Sequence, residues 1–105
     1  IYAMIGLAQK AGKVISGEEL CKKYIKTGKS KLIIIAENSS ENTKKQFVDM
    51  CTYKYVPYIV FGTKEFLGKY TGKRYRAVLS IQDKNFAISI KDLYNKKSDG
   101  GESFV

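Results

Sequence analysis

Lys31-Leu32-Ile33-Ile34-Ile35-Ala36 decides the fold of this chain. A strand with one wet face alternates apolar and polar residues, and this one does not. Its β-branched, almost wholly apolar run is expected of a central strand covered on both faces by other layers. The same run is the longest apolar stretch in the sequence. It is far too short to span a bilayer, which takes about 20 residues as a helix.

Working outward, helical and strand periods alternate. Residues 1–11 place Ile1, Met4, Ile5 and Ala8 on one side, with Gly12 as the stop. Lys13-Val14-Ile15 reads as a short strand. Ser16-Gly17-Glu18-Glu19 has the form of a capping box, in which Ser16 accepts from the Glu19 amide while Glu19 reaches back. The helix so opened runs to about Thr27 and ends at Gly28. Asn38 to Ser40 supply caps for a third helix with Phe47, Met50 and Cys51 inward. Pro57 opens a strand over 58–61, Gly62 turns the chain, and Thr63 caps a short helix through Leu67. Residues 75–82 form a fourth strand, and Asp83 caps a last helix holding Phe86, Ile90 and Leu93. Single strands separated by helices predict an α/β fold, a three-layer α/β/α sandwich with a four-stranded mixed sheet. The 105 residues suit one domain, expected over residues 1–94, with a polar, Gly-containing, frayed tail over 95–105. Ile1 already lies in an apolar-periodic segment, so native residues are expected before it.

The composition removes most catalytic classes. The chain has no histidine and two cysteines, Cys21 and Cys51. Four zinc ligands cannot be assembled from these, and the common triads lose their base. The two thiols read as buried groups in a reducing cytoplasm. Glu18, Glu19, Glu41 and Glu65 sit at helix starts, where their charge favours the helix dipole. The run Gly68-Lys69-Tyr70-Thr71-Gly72-Lys73-Arg74 resembles a phosphate-binding loop in part. It is one residue short, and Arg74 stands where a hydroxyl would hold magnesium. No enzymatic activity, cofactor or metal is therefore expected.

Charge points elsewhere. Nineteen Lys and Arg against ten Asp and Glu give a net charge of +9, which attracts polyanions. A solvated basic surface is the plainer alternative; a membrane role is not expected, because no segment pairs a basic face with a wide apolar one. In the second helix Gly17, Cys21, Tyr24 and Ile25 share one face with Leu20 at its edge, and Glu19, Lys22, Lys23 and Lys26 take the opposite face. Either this is an ordinary wet face, or its lysines and N-terminal amides meet a phosphate backbone that Gly17 lets come close. Gly72-Lys73-Arg74-Tyr75-Arg76 holds both arginines of the chain. Guanidinium forks suit phosphate and guanine edges. Tyr75 either stacks on an unpaired base or packs in the core as a strand-start aromatic.

These segments also carry a resemblance. Gly28-Lys29-Ser30-Lys31-Leu32-Ile33-Ile34-Ile35-Ala36-Glu37-Asn38, Val56-Pro57-Tyr58, Leu67-Gly68 and Gly72 to Arg76 are similar to the kink-turn-binding ribosomal protein family, the L7Ae and L30e type. Gly6-Leu7-Ala8-Gln9-Lys10-Ala11-Gly12-Lys13, followed by Ser16 to Glu19, resembles the small bacterial members of the YlxQ type. The likeness covers residues 1–94. It implies a cytoplasmic, non-catalytic, bacterial ribonucleoprotein component that binds a kink-turn or ribosomal RNA and accompanies ribosomes or the transcription–translation machinery. It implies RNA contacts from Gly17 and Lys23 and from Gly72, Lys73, Arg74, Tyr75 and Arg76; with the start and wet face of the second helix, the expected RNA-binding residues also include Ser16, Glu18, Glu19, Lys22 and Lys26. Glu19 and Leu20 stand where archaeal members carry the Asn-Glu pair that reads tandem G·A bases. Glu19 accepts hydrogen bonds but does not donate them, and Leu20 makes none. Two other readings suit the same fold: a protein–protein adaptor, and an RNA-recognition fragment of a larger RNA-modifying enzyme.

Overall fold

The computed structural model describes residues 1–103, with side chains through Lys96. Helix α1 (Tyr2–Lys10) leads to strand β1 (Val14–Ser16) and helix α2 (Glu18–Lys26). Strand β2 (Leu32–Ile35), helix α3 (Glu41–Lys54), strand β3 (Tyr58–Val60) and helix α4 (Lys64–Tyr70) follow. Strand β4 (Val78–Ile81) and helix α5 (Lys84–Ser103) complete the chain.

The sheet order is β1-β4-β2-β3. β4 runs antiparallel to both β1 and β2, and β2 runs parallel to β3, so the sheet is mixed as expected. Every residue of β2 is buried. Its alternation sorts the core into two. Leu32 and Ile34 join Ile5, Ile59, Leu67, Leu79 and Ile90 beneath α1, α4 and α5. Ile33 and Ile35 join Cys21, Ile25, Phe47, Cys51 and Val78 beneath α2 and α3. Helices thus cover both faces, which is why β2 shows no polar period.

Local chemistry sets most boundaries. Ser40 caps α3 by accepting from the Thr43 amide at 3.1 Å, Thr63 caps α4 by accepting from Phe66 at 3.2 Å, and Asp83 caps α5 by accepting from Phe86 at 2.9 Å. Other boundaries depart from the sequence reading. α4 continues to Tyr70 and β3 stops at Val60. β4 begins at Val78, not at residue 75, because the Arg76 amide donates to Lys64 O at 3.0 Å and holds that segment against the start of α4 instead of in the sheet. Leu93, expected inward, is 40% exposed, while Ile90 is fully buried. The backbone of α5 runs on to Ser103, through most of the expected tail; Phe104 and Val105 lie outside the described residues.

The capping box is not formed. β1 is shifted one residue from expectation, so Ser16 pairs with Leu79 in the sheet and Gly17 becomes the N-cap of α2, with no side-chain cap. The Ser16 hydroxyl instead accepts from Arg76 Nε at 2.9 Å.

Both cysteines are free and buried. Burial pushes each thiol up to about 12, with the neighbouring Cys51 and Glu18 adding to the shift at Cys21. A raised thiol pKa adds stability that is complete below the ordinary value of 9.0 and is lost as pH climbs towards 12. At pH 8 both therefore stay protonated in the folded chain. Iodoacetamide at that pH should leave the native protein unmodified and alkylate it twice in denaturant, read by mass spectrometry; rapid native labelling would contradict this burial.

Candidate nucleic-acid interface

Two segments sixty residues apart in sequence meet at one end of the sheet. Arg76 Nε donates to Ser16 Oγ at 2.9 Å, and the Gly17 amide donates to Val78 O at 3.1 Å. The end of β1 and the loop before β4 are thereby clamped edge to edge. Arg76 also folds back to donate from Nη1 to Tyr75 O at 2.7 Å. Of the two arginines, Arg76 is thus committed to building the site, and Arg74 stays exposed.

Gly17 has φ 100° and ψ 148°, a region that only glycine enters readily. A Cβ there would meet no atom within 4 Å. The protein itself does not crowd the position, so its backbone is open to whatever approaches α2.

The cations of α2 divide. Lys23 and Lys26 are exposed and make no ion pair among the described residues. Lys22, expected beside them, is half-buried: its ammonium lies 6.0 Å from the Phe47 ring centroid and 3.8 Å from Glu19. The pitch of α2 turns it towards α3. Glu18 accepts from Thr43 Oγ1 at 3.3 Å, tying the starts of α2 and α3 together. Glu19 remains exposed, and Leu20 presents an apolar side chain that is 49% exposed.

Lys73, Arg74 and Tyr75 project from the second segment into solvent. Tyr75 is 55% exposed, so packing in the core does not account for it. The loop is not a phosphate cradle. The amides of Thr71 and Lys73 donate to Gly68 O at 3.0 and 2.8 Å, and that of Gly72 to Lys69 O at 3.3 Å, which leaves them engaged.

Two further residues support the surface in ways that their sequence neighbours do not announce. Gly68 lies under the loop: a Cβ there would come 2.6 Å from Arg74 O and 2.8 Å from Tyr75 N, both backbone atoms. Asn38, expected to cap α3, caps α4 from across the sheet end instead. Its Oδ1 accepts from the Lys64 amide at 2.9 Å and its Nδ2 donates to Glu65 Oε1 at 3.0 Å. That amide holds the Glu65 carboxyl below the usual carboxylate range. Since Lys64 O accepts the Arg76 amide, Asn38 helps to place Arg76. These contacts join residues far apart in sequence, and no local spacing announces them. The family-like stretches Gly28 to Asn38 and Leu67-Gly68 hold both residues and are the signal that marks them.

Among the described residues, no group of three His, Cys, Asp or Glu could hold a metal, and no helix is long and apolar enough to cross a membrane.

Comparison with known proteins bears on the family and the fold. The profile of the ribosomal protein L7Ae/L30e/S12e/Gadd45 family matches residues 1–91. The RNA-binding protein YlxQ of Bacillus subtilis (strain 168) is 40% identical over 92 residues, covering 88% of this chain and 92% of its own length. A protein of unknown function from Bacillus halodurans C superposes with a TM-score of 0.86 at 30% identity, over 90% of this chain and 95% of that one. The 15.5 kD RNA-binding protein of Giardia lamblia has the same fold, with a TM-score of 0.74 at 23% identity over 85% and 79% of the two chains. Five helices around a four-stranded mixed sheet, matched over nearly the whole chain, make this protein a non-catalytic member of the L7Ae/L30e/S12e/Gadd45 family.

Proposed function

We propose that the chain binds structured RNA, a kink-turn above all, through the start of α2 and the loop 72–76. The reading includes a cytoplasmic place beside ribosomes or the transcription–translation machinery. The observation that carries it is the Arg76–Ser16 hydrogen bond, which turns two separate basic segments into one surface. Lys23, Lys26, Lys73 and Arg74 neutralise phosphates along that surface. The open backbone at Gly17 allows a sugar–phosphate chain to come close to the N-terminal amides of α2. Tyr75 offers a ring for an unpaired base, and Glu19 accepts from a guanine amine. Leu20 supplies apolar contact where a second polar reader would otherwise stand. The relative from Bacillus subtilis bears the name of an RNA-binding protein, which supports the class.

The test is a titration with a kink-turn RNA and with the same RNA after its G·A pairs are disrupted. Tighter binding to the intact motif is expected. Lys23→Ala with Lys26→Ala should weaken binding roughly tenfold or more at low salt. It should also make the log–log salt slope shallower by about 1.5, because two phosphate contacts are lost. Unchanged affinity and slope in the double variant would place the interface elsewhere. Equal affinity for the two RNAs would reduce the function to general RNA binding.

A further inference from the structure

A second feature lies at the other end of the sheet. β2 and β4 are antiparallel, so the start of β2 neighbours the end of β4: Leu32 pairs with Ile81, whereas Ile35 pairs with Val78 beside the surface described above. At the Leu32 end, the turn from α3 into β3 and the first turns of α5 enclose an open cleft of about 500 Å³. This is within the range that accommodates small organic ligands.

Tyr55 forms one wall. It ends α3 in the left-handed conformation, with φ 58° and ψ 38°, and among the described residues it is the one non-glycine with positive φ. Glycine and asparagine take this conformation readily, and a β-carbon bearing an aromatic ring does not. A strained tyrosine is usually held by packing, but Tyr55 is 93% exposed. The turn is held by the backbone, the Val56 amide donating to Cys51 O at 2.9 Å, and the exposed ring is left free of it. Pro57 and the half-exposed Ile88 continue the apolar lining.

The rim is cationic. Lys31, just before β2, and Lys84 and Lys91 of α5 line the cleft, and none makes an ion pair among the described residues. One acidic side chain, Asp92, also borders it, leaving a local excess of two positive charges. An exposed ring beside ammonium groups without ion pairs among the described residues suits a polyanion with planar, stackable units. Stacking on an aromatic side chain with lysines along the backbone is how unpaired nucleic acid strands are held.

We infer that this cleft is a second RNA site, for a short unpaired strand, with one base stacked on Tyr55 and its phosphates on Lys31, Lys84 and Lys91. The protein then holds folded RNA at one end of its sheet and single-stranded RNA at the other. This site does not depend on the kink-turn reading, and each can fail without the other.

The experiment is a titration of fluorescent hexauridylate into the full chain. Binding should be salt-dependent and weaken about tenfold or more in Tyr55→Asn. Asparagine tolerates the left-handed turn, so this variant should keep the wild-type Tm; a Lys84→Ala, Lys91→Ala variant serves as a second probe and should weaken binding similarly. Both variants should bind the kink-turn RNA as the parent does. No binding of hexauridylate would overturn the inference, as would binding insensitive to both variants. Loss of binding only in Lys23→Ala with Lys26→Ala would move the strand to the first surface and overturn it too. Tighter binding of a hexaglutamate peptide at the cleft would assign it to an acidic protein partner instead.

Discussion

Gly68→Ala is expected to weaken binding of structured RNA at least tenfold and to lower stability, although alanine is the better helix former. Gly68 lies within α4, where intrinsic propensity alone favours alanine over glycine by about 1 kcal/mol. The loop reverses that sign. An added Cβ would fall 2.6 Å from Arg74 O and 2.7 Å from Arg74 C, and backbone atoms do not yield as the end of a flexible side chain does. Either the loop lifts or α4 shifts, and overpacking of this kind costs about 1–3 kcal/mol. Lifting the loop pulls Arg76 from Ser16 and moves Arg74 and Tyr75 with it. Displacement of a contact surface by about an ångström is enough to lose most of a geometrically demanding interaction. Urea unfolding and an RNA titration read the two effects separately. A variant more stable than the parent, with unchanged affinity, would show that the loop does not depend on Gly68.

Phe47→Ala should produce the largest loss of stability, about 3–5 kcal/mol. Phe47 is fully buried in the layer between α2, α3 and the sheet, among Cys21, Ile25, Ile33 and Ile35. Its removal leaves a cavity that small, rigid β-branched neighbours fill poorly. It also takes away the ring beneath the Lys22 ammonium. Against a typical total of about 5–15 kcal/mol, such a loss leaves a marginal domain. The midpoint of thermal unfolding should fall by roughly 15–25 °C. Circular dichroism measures this directly. RNA affinity at low temperature, where the variant remains folded, should change far less than in Gly68→Ala, because Phe47 lies under the helices and not under the loop. A fall in Tm of only a few degrees would mean that α3 collapses onto the sheet without it.

The contrast between these two positions separates what is local from what is not. Phe47 was legible in the sequence, since its spacing from Cys51 and the caps before Glu41 mark a helix and its inner face. Gly68 was not. Its neighbours Arg74 and Tyr75 arrive through a reversal of the chain that no periodicity records. Tyr75 shows the same limit: strand propensity argued for a core residue, and a hydrogen bond from the adjacent Arg76 amide to Lys64 keeps the segment out of the sheet. The Ser16 box failed for a related reason, because sheet pairing with Leu79 claimed the serine before the helix could use it.

By itself, then, the sequence determined the order of helices and strands, the covered central strand Leu32–Ile35, the caps of α3, α4 and α5, and the basic character of the surface. Those follow from interactions within a few residues and from the sum of charges. The tertiary structure alone decided that Ser16 meets Arg76, that Asn38 supports Lys64, that Lys22 turns to Phe47 and that Tyr55 stands strained beside three lysines. Each of these is a contact between distant segments or a backbone angle imposed by packing, and such pairings exist only once the sheet has brought its strand ends together.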